Sequence, residues 1–152
     1  MNTIMSRSGL LRFGLTGLGA VALLVAAPAA FAQTQSVKAT LTAASQVPPN
    51  ASKGTGALTA TYDAATKKLT WSVTYADLSG PPTAAHFHGP AAATANAGVV
   101  VPQKDGLASP MKGEATLTDA QAADLVAGMW YFNIHTEANK GGEIRGQVAK
   151  GM

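Results

Sequence analysis

The sequence predicts an all-β domain, an antiparallel Greek-key sandwich or barrel with one short helix near residues 118–127. Three observations carry that expectation. Apolar and polar residues alternate with period two along several short runs, the pattern of a half-buried strand. Clusters rich in glycine, proline, asparagine and aspartate separate the runs at short intervals, as turns between strands require. Only one stretch, opening at Thr118, carries a helix-start signature.

Taken in order, Val37, Ala39, Leu41 and Ala43 alternate with Lys38, Thr40 and Thr42 as a first strand. Val47-Pro48-Pro49-Asn50 ends it, because proline cannot continue a ladder. Ala57 to Tyr62 reads as a second strand, and Asp63 to Lys67 as the hairpin turn after it. In the third, Leu69, Trp71, Val73 and Tyr75 share one face, the floor of the core. Gly80-Pro81-Pro82 breaks the chain before a strand carrying His86. Ala91 to Gly98 reads as a surface loop, Val99 to Pro102 as a short strand, and Gln103 to Pro110 as another loop. Met111 to Leu117 reads as a strand broken by Gly113. Thr118 then caps a helix, Gln121 bonds back to it, Leu125 and Val126 form its apolar side, and Gly128 stops it. From Trp130 to Thr136 the alternation resumes, with Trp130, Phe132 and Ile134 opposite Tyr131, Asn133 and His135. In a last strand, Glu143 to Val148, Ile144, Gly146 and Val148 alternate with Glu143, Arg145 and Gln147. Seven or eight short strands are expected in all.

The N-terminal residues 1–32 read as a secretory signal peptide. Arg7 and Arg12 stand in an acid-free lead, Phe13 to Ala27 is apolar, and Ala30-Phe31-Ala32 is a small-residue cleavage site before Gln33. The apolar run is shorter than the roughly 20 residues that span a bilayer, so no stable transmembrane segment is expected after cleavage. The alternative is an uncleaved anchor. A periplasmic or secreted location follows for the domain 33–152. With Arg7 and Arg12 removed, nine basic residues face eight acidic ones, and no basic run or face suggests nucleic acid. Export would permit disulfides, yet the chain has no cysteine, so the core alone must hold the domain together.

All three histidines fall in two segments, Ala84-Ala85-His86-Phe87-His88-Gly89-Pro90 and Asn133-Ile134-His135-Thr136. In a strand His86 and His88 project side by side, their Cα atoms about 6.5 Å apart, with Phe87 turned away. If the His135 strand lies alongside, three imidazoles converge on one copper or zinc ion. Glu137 or Glu143 is then a fourth ligand or an outer-shell partner of an imidazole. The competing reading is that the histidines serve only the fold. Arg145 and Glu143 carry a similar pair of readings: an ion pair with Glu137 or Asp77, or an anchor for a small anion beside the metal. No serine elbow, cysteine nucleophile or phosphate-cradling loop is present.

Read together, Ala85-His86-Phe87-His88-Gly89-Pro90-Ala91, Gly98-Val99-Val100, Leu125 to Gly128, Tyr131 to Thr136 and Gly142-Glu143-Ile144-Arg145-Gly146-Gln147 resemble the CHRD (chordin-type) domain. Gln46-Val47-Pro48-Pro49 and Gly56 fit its N-terminal part, although the family more often has an acid where Gln46 stands. The resemblance covers essentially the whole mature chain. It implies an extracytoplasmic immunoglobulin-like or barrel β-domain and no particular activity. A fold-level likeness to copper/zinc superoxide dismutases rests on the His86/His88 pair, Gly141-Gly142 and Arg145. The chain departs from that pattern in lacking cysteines and in having too few histidines for a bridged two-metal site, which leaves at most a single-metal analogue. Three functions follow as expectations: a non-catalytic metal-binding domain, a cell-envelope or extracellular protein-interaction module without metal, and a single-copper oxidoreductase.

Overall fold

Nine strands grow out of that alternation in the computed structural model, which describes residues 34–151. The expected signal segment and its cleavage site lie outside the described residues. The strands are β1 (Thr34–Thr42), β2 (Thr55–Asp63), β3 (Lys68–Ala76), β4 (Pro82–His88), β5 (Val99–Pro102), β6 (Met111–Thr116), β7 (Tyr131–Thr136), β8 (Ile144–Gln147) and β9 (Ala149–Lys150). One α-helix, α1 (Asp119–Val126), lies between β6 and β7, and a single 3-10 turn (Ala43–Ser45) follows β1. Every pairing is antiparallel.

β1, β2 and β3 form a meander in which the inward residues line up across the sheet. Val37 pairs with Ala60 and Ala60 with Trp71, while Ala39 pairs with Leu58 and Leu58 with Val73. Because side chains alternate with period two, one register places all of these on the core side and the threonines between them outside. The full strand order is β5-β4-β7-β8-β1-β2-β3-β6, so connections skip across the sheet, and β9 adds to β1. The short β9 goes beyond the seven or eight strands expected; the exposed Ala149 and Lys150 give no alternating signal.

The two edges of this path, β5 and β6, come round to face each other. Gln103, the residue after β5, donates from Nε2 to the Lys112 carbonyl of β6 at 2.8 Å and accepts at Oε1 from Trp71 Nε1 at 2.6 Å. Side chains thus bridge the seam, and the sheet is a nearly closed barrel around a core of Trp71, Phe87, Trp130 and Phe132 with aliphatic neighbours. Gly113 does not break β6, contrary to the sequence reading. It pairs directly with Trp71, and a Cβ there would lie 2.4 Å from the indole ring, so the missing side chain makes room for the tryptophan. α1 forms as expected: Thr118 Oγ1 accepts from Gln121 N, Gln121 Oε1 accepts from Thr118 N, and Gly128 ends the helix with φ +74°. Among the described residues no helix is long and apolar enough to cross a membrane.

Candidate metal centre

The site lies on the outer face of the β4–β7 pair. In the register His86 stands opposite Asn133, His88 opposite Tyr131, and Ala84 opposite His135. Phe87, fully buried, points from the other side of β4 into the core and packs on Trp71, Trp130 and Phe132. One strand therefore anchors itself through Phe87 and presents two imidazoles on its opposite face. The same alternation on β7 buries Phe132 and Ile134 in the core and turns Tyr131, Asn133 and His135 toward the histidine pair.

The three histidines come together. Ring centroids are 5.5 Å apart for His86 and His88, 5.1 Å for His86 and His135, and 6.5 Å for His88 and His135. One nitrogen from each ring lies within 4.8 Å of the others. Ligand bonds of about 2.0–2.1 Å place three nitrogens around one ion about 3.3–3.6 Å apart, so the rings would have to draw together by up to about 1.5 Å to share one. Burial, with repulsion from the other two histidines, holds the His86 imidazole below its usual range. His88 is also pushed down, chiefly by burial, against hydrogen bonds to Ala97 and Asn133 that pull the other way. Both shifts favour the neutral ring, the form that ligates.

Backbone carbonyls orient two of the rings. His88 Nδ1 lies 2.9 Å from the Ala97 carbonyl and His135 Nδ1 lies 2.8 Å from that of Lys140. Their Nε2 atoms both lie 3.0 Å from Asn133 Oδ1. His86 Nδ1 is buried with no hydrogen-bond partner. An Nδ1–H held by a carbonyl fixes the tautomer and leaves Nε2 with its lone pair, the arrangement found behind metal-bound imidazoles.

The acidic residues go elsewhere. Glu137 pairs with Lys140 on the surface at 2.7 Å. Glu143, fully buried, accepts from Ser52 Oγ at 2.6 Å, Ser79 N at 2.7 Å, Ser79 Oγ at 2.6 Å and Thr136 Oγ1. Neither is hydrogen-bonded to an imidazole, and neither pairs with Arg145; nor does Asp77. Arg145 instead donates to Asn96 Oδ1 at 2.9 Å and to the Ala95, Ala93 and Ala92 carbonyls at 2.7, 3.3 and 3.5 Å. Its guanidinium covers the Tyr131 ring at 3.4 Å, and the other face of Tyr131 stacks on His88 at 4.8 Å with the planes parallel. Arg145 thus ties the loop after β4 down beside the site, and reaches His88 through Tyr131. Asn133 and Tyr131 are absent from the sequence-based site. The signal for them was the strand alternation itself, which put both on the His135 face.

All three histidines, Asn133 and Arg145 fall inside one family match: the model of the CHRD domain covers residues 37–148. The chain belongs to the CHRD domain family. Searches of curated proteins and of solved structures return no match. The CHRD match runs from β1 through Val148, so it takes in the barrel, the histidine cluster and the last long strand together.

Proposed function

We propose that this CHRD-domain protein is exported and holds one metal ion, copper before zinc, through His86, His88 and His135. The observation that carries the reading is the convergence of one nitrogen from each of three imidazoles to within 4.8 Å, from two strands paired in register. Two rings carry the carbonyl bond that leaves Nε2 unprotonated in the neutral ring, and the third has a buried nitrogen with no partner. A nitrogen-only set with no carboxylate in contact suits copper or zinc better than a hard cation such as calcium or magnesium. Catalysis draws less support. Arg145 directs its donors at loop carbonyls and Asn96, which leaves it poorly placed to anchor a small anion at the metal.

Metal analysis of the purified full chain tests the reading. About one equivalent of copper or zinc is expected in the wild type, with loss in both His86→Ala and His135→Ala. Metal content unchanged in both variants would sink the site and favour an interaction module whose histidines only support the fold. Export is checked by the N-terminus of protein recovered outside the cytoplasm, expected at Gln33.

A further inference from the structure

The contacts around Asn133 have no consistent solution if an amide oxygen faces two neutral imidazoles. The Ala97 and Lys140 carbonyls lie at the Nδ1 atoms of His88 and His135. A carbonyl oxygen carries no proton, so each Nδ1 must bear its own, and in a neutral ring Nε2 is then a bare lone pair. Both Nε2 atoms sit 3.0 Å from Asn133 Oδ1, which makes three acceptors facing one another. Charging both rings would supply protons. It would also set two cations side by side, with the Arg145 guanidinium across Tyr131 and no carboxylate hydrogen-bonded to either ring.

A half-turn of the amide about its Cβ–Cγ bond exchanges oxygen and nitrogen without moving any other atom. The NH2 group, with two hydrogens, then faces two lone pairs. A second observation points the same way. Gln46 is buried and its Nε2 has no partner. Both ends of the Gln46 amide and Asn133 Nδ2 border the same small volume: Gln46 Nε2, Gln46 Oε1 and Asn133 Nδ2 lie 2.5, 3.0 and 3.1 Å from where a Gly142 Cβ would stand. Gly142, at φ +122°, leaves that volume open. The turned amide puts an acceptor on the side of the volume where the Gln46 amide lies.

We propose that Asn133 sets how tightly the histidine site takes a cation: its amide nitrogen donates to both Nε2 atoms and so competes for the lone pairs a cation needs. The consequence for affinity rests on the metal reading above; the hydrogen-bond arrangement does not. Gln46 holds the amide in the competing orientation. The site is thereby satisfied without metal, and its affinity lies below what three converging imidazoles would otherwise give.

Two measurements on the full chain test this. In metal-free protein at neutral pH, nitrogen NMR of the imidazoles is expected to find His88 and His135 as Nδ1–H tautomers with Nε2 accepting a hydrogen bond. A proton on Nε2 of either ring would overturn the arrangement. Calorimetric titration with Zn2+ and Cu2+ then compares wild type with Asn133→Leu, which has a similar shape and no donor. Loss of two competing hydrogen bonds is expected to tighten binding about tenfold. Unchanged affinity refutes competition, and weaker affinity makes the amide a ligand instead. Should Asn133→Leu fail to fold, Gln46→Leu, which releases the amide, is expected to tighten binding about threefold, and no change there counts against the proposal. If the wild type takes up neither metal, the metal reading fails by itself and the tautomer measurement alone decides the role of Asn133.

Discussion

Glu143→Gln is the perturbation whose size the structure states most directly. The Glu143 carboxylate is fully shielded from solvent, and burial alone would push its pKa up. Hydrogen bonds from Ser52, Ser79 and Thr136 more than reverse this and bring it from 4.5 down to about 2. At about 1.36 kcal/mol per pH unit, that depression corresponds to roughly 3 kcal/mol favouring the folded state. The sign follows from the direction. A folded-state pKa below the unfolded one contributes fully above pH 4.5, and the contribution fades as pH falls from there toward 2. Urea unfolding at a series of pH values from 7 to 2 is the assay. Wild type is expected to exceed Glu143→Gln in stability at pH 7, and that gap should narrow by roughly 3 kcal/mol as pH approaches 2. A gap that stays constant across the series would refute the reasoning, because the loss would then be one of shape and not of charge.

Gly146→Ala is expected to destabilise strongly, by about 3 kcal/mol or more, because its Cβ would stand 2.3 Å from the Thr40 carbonyl oxygen where β8 meets β1; thermal unfolding checks it. Arg145→Lys keeps the charge but cannot reproduce four contacts from one planar fork, so a loss of about 2 kcal/mol is expected, with faster amide exchange along residues 92–97. Exchange unchanged in that loop would show that Arg145 does not pin it. Thr118→Ala removes the cap of α1 and should cost about 1 kcal/mol in urea unfolding, while leaving the metal content of the purified protein unchanged.

The strand alternation made the fold class legible, and with it the inward faces of β1, β3 and β7, since the side-chain period of a strand is a local property. The capping box of α1 was equally local. The fate of Gly113 was not, because the reason for it is the ring of Trp71 on a neighbouring strand. The site divides along the same line. That His86 and His88 share a face follows from their spacing in one strand. That His135 joins them depends on β7 pairing with β4 in a register set by chain segments more than forty residues apart.

The partners of the charged residues are further still from the sequence. Glu143 and Arg145 are two apart on the last strand as the sequence predicts it, which suggested a common role. The fold sends one to hydroxyl groups of Ser52, Ser79 and Thr136 and the other to the carbonyls of Ala92, Ala93 and Ala95. What the sequence determined by itself was which residues face in, where the chain turns and which side chains could ligate. Which of them meet was decided only by the tertiary structure, because a buried polar group takes whichever partner the packing brings within hydrogen-bond reach, and loops remote in sequence supply it.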